Sequence, residues 1–320
     1  MEKRPLGRTG LAVSPIGFGT SPLGNMPGTY GYEVGEDRAI ETLHTIFDSP
    51  VNLVDTSRNY GFGRSEERVG AALASYSGST DHLVLSTKVD RDMETLRFDA
   101  ARVRESFEES LKAMGVDRVD ILHLHDPEYG RDLDEITADG GAVDEVFKIR
   151  DEGLAGSVGL AMGNVDLMFR LLRRYPFDVA LNHNRFTALN RRADEMYQFA
   201  HEQGMGLLNA APYAGGVLAK GSQNATMVTY QEATEETMAP VKALESLCAR
   251  FALPMGAVAL QFSIRDPRIS STVLGVSKPE RVTQSIEWAT MSIPDDFWVE
   301  FAAIPYSTDD PEANRVYSPD

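Results

Sequence analysis

The sequence predicts an α/β fold of the (β/α)8 barrel type, and three observations carry that expectation. Apolar runs of strand length alternate with amphipathic helical segments eight times, at spacings of about 30–45 residues. No G-x-G-x-x-G follows the first strand, which weakens the doubly wound sheet as an alternative for the same pattern. No shift in composition marks a linker, so residues 1–320 are expected to form one domain. Strand–helix units with right-handed crossovers, eight in number, favour a closed barrel.

Each element has its own signal. Residues 1–20 suggest a short β-hairpin that leads to a first strand end, Pro15-Ile16-Gly17-Phe18-Gly19-Thr20. A Gly/Pro-rich loop, Ser21 to Glu36, precedes a helix from about Asp37 with Ile40, Leu43, Ile46 and Phe47 on one face. Strand Val51–Val54 leads through a glycine-punctuated loop into helix Ser65–Leu73. Ser65 is expected as its cap, and Glu66 and Glu67 suit the helix dipole. Strand His82–Lys88 and helix Ala101–Met114 follow, the helix stopped by Gly115. Strand Val119–His125 precedes helix Val143–Asp151, strand Gly156–Ala161 and helix Asp166–Tyr175. Strand Asp178–Asn182, helix Ala193–Glu202 and strand Met205–Ala210 continue the alternation. Helices over Thr237–Phe251 and Met255–Ile264, strand Ser271–Val276 and helix Pro279–Ala289 close it. The tail from Ser292 to Asp320 has little helical period. Its aromatics (Trp298, Phe301, Tyr306, Tyr317) point to a segment folded over the barrel mouth.

Composition excludes several function classes. The apolar fraction of 42% and charged fraction of 25% are those of an ordinary globular protein. No apolar run spans a membrane, and MEKRPLGRTG lacks the apolar stretch of a secretory signal. A net charge of -17 argues against nucleic acid or anionic membranes as partners. The lone Cys248 excludes an internal disulfide and fits a reducing, cytoplasmic setting. A monomer or weak homo-oligomer acting on a small molecule is expected.

In such a barrel the strand C-termini share one face, which holds the active site. Asp55 closes the second strand, Tyr60 lies in the loop after it, Lys88 closes the third strand and His125 the fourth. Singly these could be a cap, a loop aromatic, a solvated strand end and a core histidine. Together on adjacent strand ends they suggest a site, with Asp55 as counter-ion to Lys88. An ammonium beside a phenol favours phenolate, so Tyr60 is expected to have a lowered pKa and to serve as general acid–base. His125 would polarise a carbonyl oxygen. Proton transfer of this kind suits hydride transfer, for which a cofactor is needed.

These residues and their flanks resemble the aldo-keto reductase superfamily. The matching stretches are Asp55-Thr56 with Tyr60-Gly61, Ser65-Glu66 with Val69-Gly70, Ser86-Thr87-Lys88, and Val119 through Pro127. The resemblance runs from Leu6-Gly7-Arg8-Thr9-Gly10 to Pro279-Glu280-Arg281-Val282. Tyr60 through Glu67, the Leu-His-Leu-His-Asp-Pro-Glu strand end and Ala211 through Leu218 are most similar to the aldose 1-dehydrogenase branch, which includes L-fucose, D-threo-aldose and L-galactose dehydrogenases, with a pyridoxal dehydrogenase nearby. The resemblance implies a catalytic tetrad of Asp55, Tyr60, Lys88 and His125 and a cofactor that is NADP or NAD. It implies oxidation of a sugar at C1, with NADPH-driven reduction of a small aldehyde or ketone as the alternative; because a fold alone does not fix function, a non-catalytic nicotinamide-binding regulatory barrel is a third.

For the cofactor, Gly275-Val276-Ser277-Lys278-Pro279-Glu280-Arg281 places a helix N-terminus and cations after the last strand, an anion site in an acidic chain. The resemblance assigns Arg281 to the adenosine phosphate and Gln284 and Ser285 to the adenine side. It adds Gly19 and Thr20 at the first strand end. Nicotinamide contacts depart from the family pattern: Asn164, Asn182 and His183 are the candidates, and Ala210 falls where the family has a stacking aromatic. Asn182, Asn184 and Arg185 are expected to face substrate hydroxyls. The pair His123-x-His125-Asp126 resembles a metal-binding H-x-H, but no third ligand completes it, so no metal is expected. His123 is expected to be a satisfied core histidine.

Overall fold

In the computed structural model, which describes residues 1–313, eight parallel strands close into a barrel. They are β1 (Ile16–Gly19), β2 (Leu53–Asp55), β3 (Val84–Val89), β4 (Val119–His125), β5 (Ala155–Met162), β6 (Val179–His183), β7 (Gly206–Ala210) and β8 (Ser271–Gly275), and β8 pairs with β1 to complete the ring. The strands are near-continuous apolar runs because both faces are covered. The helices of the outer ring are α1 (Glu36–Phe47), α2 (Arg64–Ser75), α3 (Ala100–Met114), α4 (Ala142–Asp151), α5 (Val165–Arg174), α6 (Asp194–Glu202), α7 (Glu235–Arg250), α8 (Met255–Ile264) and α9 (Pro279–Thr290). Gly115, with φ 67° and its N–H on the Leu111 carbonyl, ends α3 as expected. No single helix among the described residues is long and apolar enough to cross a membrane.

The hairpin Arg4–Pro5 with Ala12–Val13 closes the strand N-termini. Leu6 and Val13, fully buried, pack with Leu53, Val84, Ile121, Val179 and Leu208 inside the barrel. That plug leaves the opposite end as the only axial opening among the described residues. A further helix, α10 (Asp295–Phe301), lies in the stretch expected to lack helical order. Phe297 and Phe301, one turn apart, bury against the cluster of Val241, Leu244 and Val258, so tertiary packing rather than a long periodic pattern makes this helix.

The chain after α10 does return to the mouth. Ser307 bridges Asn190, and Glu312 and Asp310 bind the loop after β6. Tyr317 lies outside the described residues.

Candidate active site

Alternation along each strand selects what reaches the barrel interior. On β2 it selects Leu53 and Asp55, on β3 Ser86 and Lys88, and on β4 Ile121, His123 and His125. The parallel register sets Asp55 against Ser86, and Lys88 against His123. The Ser86 hydroxyl donates to Asp55 Oδ1 at 2.8 Å, and the Lys88 ammonium donates to Asp55 Oδ2 at 2.7 Å and to the Thr56 carbonyl at 2.6 Å. Lys88 is 1% exposed, so this is a buried ion pair, supported by one backbone carbonyl and one hydroxyl.

Tyr60 hangs over the pair, with Lys88 Nζ 4.7 Å from its ring centroid and the His125 ring edge-on at 5.9 Å. All four expected catalytic residues line one cavity of ≈ 330 Å³. One expectation fails in its electrostatics. Burial, followed by the charge of Asp55, pushes the Tyr60 phenol well above its ordinary value instead of below it. The ammonium is spent on Asp55 and Thr56, and Tyr30, Asp126 and Asp90 add to the upward push.

The helix entry beside this loop also differs from expectation. Gly63, at φ 96°, caps α2, and no side chain caps it. Ser65 is instead buried, bonding the Thr20 carbonyl at 2.9 Å and the Thr20 hydroxyl at 2.7 Å. Glu66 is buried as well; it accepts from Thr87 at 2.6 Å and from Arg58 at 3.1 Å, and burial raises its pKa. These ties anchor the loop carrying Tyr60 to β1 and β3.

Sequence reasoning missed Asp90. It follows Lys88 by two positions, which places it on the same side, and this spacing could have revealed it. Its Oδ1 lies 2.6 Å from His125 Nδ1, and its Oδ2 accepts from Ser57 Oγ at 2.6 Å and from the Asn59 N–H at 2.9 Å. Burial opposes charge on His125, yet Asp90 and Asp126 outweigh it and the imidazole pKa rises. Asp90 is correspondingly lowered, against its own burial, by His125 and Ser57. His123 is the opposite case. Neither ring nitrogen finds a hydrogen-bond partner among the described residues, and burial holds its pKa well below the ordinary value. It is a core histidine, but not a satisfied one.

The walls come from the loops after β4 and β7 and from the loop after β1. Ser21, Pro22, Met26, Thr29, Tyr30 and Tyr32 line the cavity opposite Asp126, Tyr129 and Tyr213. Among the described residues, none of the tail lines it. Instead Glu312 accepts from Asn184 at 2.7 Å and from Arg185 at 2.6 Å, and Asp310 accepts from Arg185 at 2.7 Å. Asn182 turns outward, donating to the Met162 and Gly163 carbonyls. The three residues expected to face substrate hydroxyls are thus held by the protein itself.

The expected cofactor residues separate into groups. Gly19, His183 and Ala210 line the cavity. Thr20 is fully buried and donates to the Asp55 carbonyl, joining two strand ends. Asn164 caps α5, its side chain accepting from the Leu167 N–H, while Glu128 takes its backbone N–H at 3.1 Å. Burial and neighbouring Asp126 push Glu128 up to about 7. Lys278 and Arg281 are exposed at the N-terminus of α9, where no side chain caps the helix, and Ser277 is half-buried beside them. Arg281 bonds Gln284, and Ser285 is buried with its hydroxyl on the Arg281 carbonyl. No cluster that could hold a metal occurs among the described residues.

Comparison with known proteins agrees with this fold. The sequence model described as "Aldo/keto reductase family" matches residues 15–304. L-galactose dehydrogenase of Arabidopsis thaliana is 32% identical over 293 residues, 91% of this chain and 88% of that protein. D-threo-aldose 1-dehydrogenase of a Pseudomonas species is 29% identical over 319 residues, covering 92% and 94%. The holo form of an aldo-keto reductase from Bacillus halodurans superposes with a TM-score of 0.79 at 21% identity, over 99% of this chain and all of that one.

Proposed function

The chain belongs to the aldo/keto reductase family, and from that premise we propose that it oxidises an aldose at C1 to the lactone with NAD or NADP, Tyr60 exchanging the hydroxyl proton. One observation carries the sugar reading. Asp126 lines the cavity beside His125, is 8% exposed, and its buried Oδ1 has no hydrogen-bond partner among the described residues. An orphaned carboxylate oxygen next to the reacting position asks for a hydroxyl donor, and a polyhydroxylated substrate supplies one. The similarity to two sugar dehydrogenases points the same way.

The residues fit a nicotinamide cofactor. Gly19, Ala161, Ala210 and Gly275 leave a slot without bulky side chains along the cavity. The buried Tyr213 hydroxyl on its wall lacks a partner among the described residues, and the cations at the α9 N-terminus lie beyond Gly275. Ser277, Lys278 and Arg281 would hold the adenosine phosphates there. When bound, the cofactor accepts or supplies the hydride. Around it, Tyr60 and His125 bind the substrate oxygen, Asp55 and Lys88 fix the floor, and Asp126 orients a neighbouring hydroxyl.

A second reading, reduction of a small aldehyde or ketone with NADPH, rests on the raised Tyr60 pKa, which keeps the phenol protonated and ready to donate. Both are tested by following nicotinamide absorbance with a panel of aldoses plus NAD or NADP, beside a panel of aldehydes and ketones plus the reduced cofactors. Turnover confined to the carbonyl panel overturns the dehydrogenase reading. Silence in both with cofactor bound favours a non-catalytic barrel. As a control, Tyr60→Phe is expected to lose about 10²–10⁴-fold in turnover while keeping cofactor affinity.

A further inference from the structure

The aldose panel leaves open what sets the state of His125. Its Nδ1 lies 2.6 Å from Asp90 Oδ1 and 3.2 Å from Ser57 Oγ. The Ser57 hydrogen is directed to Asp90 Oδ2, also at 2.6 Å. A nitrogen and a carboxylate oxygen at this separation need a proton between them, so Nδ1 is the donor. A neutral ring would then present a lone pair at Nε2. Yet Nε2, on the cavity side, faces a second carboxylate, Asp126 Oδ2, at 3.7 Å. A lone pair there would oppose that charge, whereas an N–H is attracted to it.

We propose that Asp90 is a positioning residue for the reaction: its carboxylate locks Nδ1–H of His125, so that both ring nitrogens act as donors and Nε2–H is presented to the substrate oxygen. The proposal rests on the reading of this cavity as the site of hydride and proton transfer. The groups facing His125 divide clearly. Asp90 and Asp126 favour the charged ring, whereas Lys88 and the burial itself oppose it. His123, two residues earlier, is held neutral, and Tyr60 meets the ring edge-on as a phenol. An imidazolium at this position holds the substrate oxygen and stabilises the negative charge that gathers on it. Asp90 is itself anchored from three sides, because its own N–H donates to Ser106 Oγ while Asn59 and Ser57 occupy Oδ2. The carboxylate therefore cannot swing away without breaking several buried hydrogen bonds.

The test is nitrogen-15 NMR of the full chain with labelled histidine, the His125 signal assigned with His125→Gln. In the unaltered protein His125 is expected to keep both nitrogens protonated past the ordinary histidine midpoint of about 6.5. Asp90→Asn is expected to lower that midpoint by about one pH unit or more, a tenfold loss in proton affinity, and Asp90→Glu to recover part of it. A His125 midpoint at or below the ordinary value overturns the proposal, as does one that Asp90→Asn leaves in place. Should Asp90→Asn fail to fold, the unaltered protein still decides, because an Nδ1–H held by a carboxylate gives a far-downfield, exchange-protected proton signal. Absence of that signal is a negative result for the proposal. None of these readouts needs substrate, so failure here is distinct from failure of the aldose panel.

Discussion

His123 and His125 occupy the same strand and the same side of it, two residues apart, and their surroundings push them in opposite directions. His125 sits in the rim layer, where loops after β2, β3 and β4 deliver Ser57, Asp90 and Asp126 to its nitrogens. His123 sits one layer down, between Lys88 on β3 and Gly159 on β5, where only strands contribute and neither ring nitrogen has a hydrogen-bond partner among the described residues. The rim layer of a barrel can satisfy charge because loops bring polar groups from several directions. The layer beneath has only alternate strand residues to draw on, and an ionisable group there is held neutral or paired with another strand residue. Lys88 takes the second route by pairing with Asp55 on the neighbouring strand.

The largest expected effect comes from breaking that pairing. Lys88→Met leaves Asp55 buried with Ser86 as its remaining side-chain donor, an uncompensated charge at the floor of the site. Breaking one partner of a buried pair costs about 3–5 kcal/mol, so urea denaturation is expected to show a loss of that size along with abolished turnover. A loss below about 1 kcal/mol would mean that water reaches the buried pair freely and that the contrast between the layers is weaker than the geometry states.

A mid-sized effect is expected from crowding the lower layer. A Cβ at Gly159 would stand 2.3 Å from His123 Nδ1 and 2.9 Å from the Val179 carbonyl. Gly159→Ala should therefore cost about 1–3 kcal/mol as His123 is forced to shift. Because Lys88 is the register neighbour of His123, turnover is expected to fall as well. Unchanged thermal stability would show that the layer has slack the close approach does not reveal.

The same contrast explains how far the molecule could be read from its sequence. The barrel was legible because eight apolar runs and eight amphipathic helices repeat, and β4 begins and ends where its residues predicted. The tetrad was legible because each member closes a strand or follows one. What escaped depends on geometry between elements. Ser65 reads as a helix cap, yet it ties Thr20 to the Tyr60 loop. Asn184 and Arg185 read as substrate contacts, but Glu312, more than 120 residues away, holds both. The direction of the Tyr60 shift escaped because proximity to Lys88 says nothing about how fully Asp55 and Thr56 already occupy that ammonium. Helix α10 escaped because two phenylalanines packed on α7 and α8 are too few to make a periodic signal.

The smallest expected effect isolates His123 itself. Its folded pKa lies below that of the unfolded chain, so as pH falls through about 6.5 the unfolded state takes up a proton that the folded state refuses. Stability contributed by the neutral ring is full above that pH and is lost progressively below it, at up to about 1.4 kcal/mol per pH unit until the folded pKa is reached. His125 has the opposite sign: its raised pKa favours the folded state below about 6.5 and loses that contribution as pH rises through the folded value. His123→Leu removes two unpartnered nitrogens from a layer already lined by Leu53, Ile121 and Val179. It is expected to be neutral or slightly stabilising at about pH 7.5 and to flatten the decline in stability between about pH 6.5 and 5.5 by about 1 kcal/mol. Denaturant midpoints measured across that range decide the matter. A variant as acid-sensitive as the unaltered protein would show that His123 already accepts a proton when folded, and with it that a partner reaches the lower layer after all.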